Sequence, residues 1–441
     1  MTGVQTCALP IFNQSNKQNQ RISRISETTL VIGTDIAKHN HVARAFNYRG
    51  IEFGKHCLFQ NDENGLLNLL AWAESIKQEH GLKDVLLGVE PTGHYWFPLF
   101  HFLKQRGVEV VLVNPHHVRK SKELDDNSPT KNDIKDAKVV AKLVIDGRYT
   151  QPQLPEGVYA DLRVLMNQRD RLCGDLNRVK GRIHNWLDRF FPEYRQVFKD
   201  WEGKASLITL HHFPLPQDVV GAGETTIVAT WKNNGVQRAV GPKRASLLYQ
   251  KALKSIGLTE GATAARHELA MYLEQYAMLC RQIEQLMEHV AALVEQIPGA
   301  THMMSIPCIG LVTVAGFLAE VGDMSGYDHS QQIVRHAGLS LRENSSGQHK
   351  GETTISKRGR CRLRALLYRA ALTMVAKNPE FRALHQYFTT RRDNPLKKKQ
   401  SMIALCIKLI RVLFELGRKQ KNYDSSKVLG PHREAQLQAA A

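Results

Sequence analysis

Four carboxylates, Asp35, Glu90, Asp133 and Asp136, fall where an apolar run ends or a helical stretch begins. Asp35 closes the run Leu30-Val31-Ile32-Gly33-Thr34, and Glu90 closes Val85-Leu86-Leu87-Gly88-Val89, so both emerge at the carboxyl ends of buried strands. Asp133 and Asp136 are three apart at the head of a helical stretch and share one helix face. Neighbouring parallel strands lie roughly 4.8 Å apart, which suits a pair of divalent cations about 3.5–4 Å apart. Hard oxygen donors of this kind favour magnesium or manganese over zinc, and the chemistry they serve is in-line displacement at phosphate. A single acidic residue at a strand end or helix start is ordinarily a cap. Four together point to a site.

Positioning these residues requires a mixed α/β region from Thr29 to about Arg148. The hydropathy pattern predicts a strand to Asp35, an alternating strand over His41–Phe46 and a third over Ile51–Phe59. A helix over Gly65–His80, the strand ending at Glu90, a helix over Tyr95–Arg106 and the strand Val108–Val113 follow. Three strands and then alternating helices and strands is the order of a ribonuclease H-like domain. Residues 114–130, with Pro115, Pro129 and many charges, are expected to form a mobile connection over the carboxylates.

Composition bounds the remainder. The chain has 441 residues, more than one ordinary core accommodates, and a formal net charge of +18. Residues 342–421 hold 20 Lys and Arg against 5 Asp and Glu, so nearly all the surplus is C-terminal. A concentration of that size points to a polyanion, DNA or RNA. An isolated run such as Lys397-Lys398-Lys399 is better explained as solvated surface. The seven cysteines, at 7, 57, 173, 280, 308, 361 and 406, never form a CxxC pair, which argues against a disulfide framework or zinc knuckle and for a reducing cytoplasm. His116-His117 and His211-His212 lack metal-type partners nearby in sequence and are expected at loops or the surface. The apolar stretch Ile306–Val321 is broken by glycines and Glu320 and is too short to span a membrane.

Residues 1–12 do not continue into any periodic pattern, and 13–26 are polar and of low complexity, so residues 1–26 are expected to be a disordered or foreign leader outside the fold. In the middle of the chain, Leu269, Tyr272, Tyr276, Leu279, Ile283, Leu286, Val290, Leu293 and Ile297 alternate by three and four, a coiled-coil seam. An imperfect second seam runs through Leu162, Leu165, Leu172, Leu176, Val179, Ile183 and Trp186. The two helices can pair within one chain or between subunits. Residues 200–262 take no assignment. Ile306-Pro307-Cys308-Ile309-Gly310 before an apolar helix looks like a helix-hairpin-helix turn, suited to backbone phosphate. Next come Ala337-Gly338-Leu339, then Ser345-Ser346-Gly347, then Ser356-Lys357-Arg358-Gly359 and a helix with Arg362, Arg364 and Arg369. A serine beside glycine is by position alone a turn former.

The pieces Gly33-Thr34-Asp35-Ile36-Ala37-Lys38, Val89-Glu90-Pro91-Thr92-Gly93 and Lys131-Asn132-Asp133-Ile134-Lys135-Asp136-Ala137, combined in order with Ala337-Gly338-Leu339 and Ser346-Gly347, resemble the DEDD transposases of bacterial insertion sequences. These are the RNA-guided bridge recombinases, the insertion-sequence one-ten family. The resemblance covers roughly residues 30–150 and 300–420. It implies a RuvC-like catalytic domain over 27–150 carrying Asp35, Glu90, Asp133 and Asp136. It also implies a mainly helical C-terminal transposase domain over 300–422; the periodicity gives a helical coiled-coil region with an insertion over 155–298, and residues 423–441 are expected to be a tail.

Further implications of the resemblance are a magnesium or manganese site on the four carboxylates and Ser346 as a nucleophile joined covalently to DNA. A structured noncoding guide RNA and a dimer or tetramer whose composite sites draw on two subunits are implied as well. Lys357, Arg358, Arg360, Arg362 and Arg364 are expected to hold the nucleic-acid backbone. Asn132 stands where the family has threonine, outside the ligand positions. The alternative is a hydrolytic nuclease of the RuvC junction-resolving type, in which the same carboxylates activate water and Ser346 is incidental. An ATPase of the actin-like fold would need further glycine-rich phosphate loops, which are not found. A non-catalytic nucleic-acid binder would tolerate loss of Asp35 and Glu90.

Overall fold

The computed structural model describes residues 8–125, 133–152, 154–236, 241–342, 345–346, 349–351, 353–430 and 435; for 8–15, 123–125, 345–346 and 349–350 it describes the backbone alone. The chain divides into two compact units, residues 1–154 and 155–441.

In the first unit α1 (Ala8–Ser23) precedes β1 (Thr29–Asp35), β2 (Asn40–Phe46), β3 (Glu52–Gln60), α2 (Glu63–His80), β4 (Asp84–Val89), α3 (Trp96–Gln105) and β5 (Glu109–Val113). Then come α4 (Pro115–Asp125), α5 (Asp133–Ile145) and β6 (Tyr149–Thr150). The strands form one six-stranded mixed sheet in the order β3-β2-β1-β4-β5-β6. β1 runs antiparallel to β2 and parallel to β4, and β4 parallel to β5.

Strand periodicity sends alternate residues of β1 into different cores. Leu30 and Ile32 pack with Leu87, Val89 and the inner faces of α2 and α3, whereas Val31 packs with Leu86, Val111 and α5. Both faces are thereby covered, which is why β1 reads as a continuous apolar run rather than an alternating one. α2 begins at Asp62, whose carboxylate accepts from the Gly65 N–H (2.8 Å), and ends at Gly81 in the left-handed region (φ 65°).

Gly33 and Gly88 lie side by side in the β1–β4 register. On Gly33 a Cβ would come 2.1 Å from the Ala137 carbonyl oxygen, and on Gly88 one would come 2.4 Å from Val144 Cγ2. The paired glycines thus form a trough in which α5 lies directly against the sheet backbone.

Two expectations are corrected here. Residues 8–23 are helical rather than a disordered leader, and from Gln18 onward the segment is part of the unit: Gln18 Nε2 donates to the Asp146 carbonyl (2.9 Å), Arg24 pairs with Glu109, and Ile25 is buried. Residues 115–125 form α4, with Val118 fully buried against α5, where a mobile connection was expected. Its apolar anchor lies among charges, so periodicity does not reveal it. Residues 126–132, including Asn132, lie outside the described residues.

The second unit is helical apart from four two-residue strands among its described residues. α6 (Val158–Phe190) and α11 (Ala262–Glu295) run antiparallel, as the hydrogen bond from Trp186 Nε1 to the Ala265 carbonyl (2.9 Å) shows. Between them α7 (Tyr194–Val197), α8 (Lys204–His212), α9 (Pro216–Asn233) and α10 (Pro242–Leu253) give residues 200–262 a helical structure. They pack around Trp186, Phe191, Tyr194 and Trp231. The opposite ends of α6 and α11 enter a different core, shared with α12 (Ala300–Met304), α13 (Leu311–Val321) and α14 (Ser330–His336).

The short strands β7 (Leu341–Arg342), β8 (Ser345–Ser346), β9 (His349–Lys350) and β10 (Thr354–Ile355) follow, then α15 (Cys361–Lys377), α16 (Pro379–Thr390), α17 (Lys398–Lys419) and α18 (Ser425–Leu429). Because each half of α11 serves a different core, Leu273 and Val294 are buried beside the residues of the expected seam. Residues 425–429 are likewise no free tail, since Val428 of α18 is buried in this second core.

Gly33→Ala should lower stability by about 1–3 kcal/mol through overpacking of α5. Gly174→Ala, on α6 with nothing within 4 Å of the added carbon, should raise it by about 0.5–1 kcal/mol. Urea unfolding of both variants checks the contrast.

Candidate active site

Thr34 pairs with Val89 in parallel register, so Asp35 and Glu90, each one residue further on, leave adjacent strands side by side. Asp133 and Asp136 occupy the first turn of α5, where the helix macrodipole favours negative charge. With α5 seated on Gly33 and Gly88, its first turn reaches the same end of the sheet. The other three act on Asp35. Burial above all, then Asp136, Asp133 and Glu90, pushes the Asp35 carboxyl up to about 6, with Lys122 acting in the opposite sense.

Asp136 is 3 % exposed. Its Oδ2 accepts from Lys122 Nζ at 2.5 Å, while its Oδ1 is buried with no hydrogen-bond partner. Among the described residues no three His, Cys, Asp or Glu side chains converge tightly enough to share an ion. The donor set, all carboxylate with one buried oxygen unsatisfied, nonetheless fits a hard divalent cation.

Two residues that the sequence pattern does not single out hold this arrangement. Arg44 of β2 donates through Nε and Nη2 to Glu52 of β3 (2.6 and 2.5 Å) and through Nη1 to the Ile134 carbonyl at the head of α5 (3.2 Å). A register shift between Ala43 and Ala45 breaks the β2–β3 pairing at this residue, so counting along the strands does not reveal the Arg44–Glu52 pair. Lys122 sits in the last turn of α4, inside a cation-rich segment that looks like an exposed connection.

The remaining candidates belong to the second unit. Ser346 pairs through its backbone with His349 across β8 and β9; its side chain, and Gly347, lie outside what is described. The five expected backbone-binding cations divide in two. Arg360 Nη1 pairs with Glu320 (3.2 Å), Arg364 Nη1 donates to the Ala337 carbonyl (2.9 Å) and Arg362 Nη1 donates to Asn167 Oδ1, so these three stitch the unit together. Arg163 supports the same region by donating to the carbonyls of Ala319 (2.7 Å) and Glu320 (3.1 Å). Burial and then the Arg360 charge push Arg163 down to about 10.

Lys357 and Arg358, exposed like Arg362, lie on a constrained loop. The Lys357 N–H donates to the Gly338 carbonyl (3.0 Å), Lys357 holds φ 54°, and a Cβ on Gly359 would come 2.4 Å from the His336 carbonyl oxygen.

At one end of the mixed sheet Asp136 is thus buried, Asp35 and Glu90 are half-buried and Asp133 is exposed, and the second unit is helical and basic. A DEDD transposase family model matches residues 32–192, and the model of the IS116/IS110/IS902 transposase family matches residues 300–386. Together they cover more than half of the chain, which belongs to the IS110-type transposases and is an enzyme of the transposase and recombinase class.

The chain is 25 % identical to an uncharacterized 44.8 kDa protein of insertion element IS116 from Streptomyces clavuligerus, over 88 % of this chain and 95 % of that one. It is 23 % identical to the pilin gene-inverting protein of Moraxella bovis, over 89 % and 97 %. To the transposase of insertion sequence element IS1111A from Coxiella burnetii it is 24 % identical, over 89 % and 91 %. Among the described residues no helix is long and apolar enough to cross a membrane.

Lys357→Ala and Arg358→Ala should each weaken DNA binding across sequences and reduce the salt slope by about 1, with the unfolding midpoint unchanged. Arg360→Ala should lower stability by about 1–3 kcal/mol, because it strands the half-buried Glu320. Salt-titrated binding and thermal unfolding of the three variants separate the two groups.

Proposed function

We propose that this transposase cuts and rejoins DNA with a RuvC-like DEDD site and a serine nucleophile. The observation that carries the reading is the shared electrostatic environment of Asp35, Glu90, Asp133 and Asp136, gathered from two parallel strand ends and one helix start. The strand order, with an antiparallel β1–β2–β3 edge followed by parallel β4 and β5, supports assigning the ribonuclease H-like fold, to which RuvC belongs. When bound by these four carboxylates, magnesium or manganese supplies Lewis acidity at the scissile phosphate.

The chain's own residues do the rest. Lys357 and Arg358 hold the backbone by charge. Ser346 Oγ attacks the scissile phosphorus, losing its proton to solvent, while the bond to the leaving strand oxygen breaks and that oxygen takes up a proton. A strand hydroxyl then attacks the phosphoserine, restoring a phosphodiester and releasing the serine. Support for the serine is its place beside Gly347 in the C-terminal family motif. The family resemblance supports a structured noncoding guide RNA and a homo-oligomer, dimer or tetramer, with composite sites. The cysteine distribution and the family together support a bacterial cytoplasmic protein.

Asp35→Asn should reduce strand exchange by about 100-fold or more, while DNA binding stays near wild type. Covalent protein–DNA adducts should form with wild type on its native flanking DNA and vanish in Ser346→Ala. Cleavage that proceeds without an adduct and survives Ser346→Ala would move the protein to the hydrolytic nucleases.

A further inference from the structure

Lys122 contacts Asp136 directly, and the four-ligand scheme leaves it without a role. Its side chain is 30 % exposed, whereas that of Asp136 is 4 % exposed, so the ammonium reaches inward from the surface to a buried acid. Asp136 is surrounded by like charge from Asp35, which also responds to Asp133, Glu90 and Lys122. Arg44, which also reaches the head of α5, is committed to Glu52 and the Ile134 carbonyl.

Such a cluster without a counter-charge would repel itself, and one ammonium relieves only part of that repulsion. It satisfies one oxygen of Asp136 and leaves the other unpaired. Lysine suits a reversible counter-charge: a compact point charge on a flexible four-carbon stem makes one contact here and can withdraw to solvent without disturbing the backbone.

Building on the carboxylate–metal reading, we propose that Lys122 is a positioning residue that competes with a divalent cation for Asp136 Oδ2. With Lys122 seated, Asp136 is held inside the cluster in a form that does not collapse onto an ion. With Lys122 withdrawn, both oxygens of Asp136 become ligands. Loading the site therefore requires the lysine to leave, and α4 carries the gate. The observed contact of Lys122 Nζ with Asp136 Oδ2 at 2.5 Å is the seated form.

The test is calorimetric titration of the full-length protein with Mn2+, alongside thermal unfolding in EDTA. Lys122→Gln should bind Mn2+ about tenfold or more tightly than wild type, because a unit charge close to the ligand oxygen is gone. The same variant should unfold at lower temperature in EDTA and regain the difference when Mn2+ is added. Those opposite movements of affinity and metal-free stability are not produced by a lysine that serves only as a structural ion pair.

Lys122→Arg, whose planar fork can hold both Asp136 oxygens, should bind Mn2+ more weakly than wild type, and it decides the matter if the glutamine variant does not fold. Unchanged or weakened Mn2+ affinity in Lys122→Gln overturns the proposal, as does unchanged affinity in Lys122→Arg. Asp35→Asn separates the two levels of inference. If it titrates Mn2+ like wild type, the carboxylate site itself is wrong; if it loses binding while Lys122→Gln matches wild type, only the role of Lys122 fails.

Discussion

The contact on which the first unit depends is the approach of α5 to the backbone of β1 and β4. Gly33 and Gly88, aligned in register, remove the two side chains that would hold a helix a normal distance from the sheet, and Ala137 and Ala141 do the same on the helix side. The approach is close enough that a methyl group on Gly33 would overlap the Ala137 carbonyl. Interiors pack at crystal-like density, so such a fit has one register and one depth. The first turn of α5 is thereby carried to the carboxyl ends of the parallel strands, and two pairs of carboxylates far apart in sequence become one electrostatic unit.

Gathering like charges in a half-buried place is unfavourable by itself, and the fold meets this with several partial compensations. The first turn of α5 contributes its dipole to Asp133 and Asp136, and Lys122 gives its ammonium to Asp136. Arg44 ties the head of α5 to the antiparallel edge of the sheet through Glu52. Burial first, and then the neighbouring acids, push the Asp35 carboxyl up to about 6. A set of acids kept close but incompletely compensated is disposed to take up an external cation, the physical basis of the functional reading.

The second unit solves a different problem. Two helices of 33 and 34 residues are too long to be stabilised by a single core, so one end of the pair is buried by α7–α10 and the other by α12–α18. Near the second of these cores, basic residues that look alike in sequence divide by partner. Arg163, Arg360, Arg362 and Arg364 are committed to carbonyls, Glu320 or Asn167, while Lys357 and Arg358 remain at the surface on a constrained loop. Guanidinium groups suit such internal bonding because the planar fork reaches several acceptors at once.

By itself the sequence determined the strands and helices of the mixed sheet, because apolar runs and their punctuation are local. It also determined that Asp35, Glu90, Asp133 and Asp136 lie at element ends, and that the C-terminal half carries the positive charge. Other elements are hidden from local pattern. Helix α4 and the docked segment from Gln18 to Ile25 bury only a few apolar groups amid charge, and residues 204–253 space theirs, such as Leu210, Ile227 and Trp231, among Gly, Pro and Lys, so local pattern does not announce them. Only tertiary structure decided that Lys122 contacts Asp136, that Arg44 is tied to the head of α5, and which arginines bond within the unit. A charged side chain's role is set by what lies within a few ångströms of its tip, and those neighbours come from elsewhere in the chain: 8 and 90 residues away for Arg44, 14 for Lys122 and 40 for Arg360.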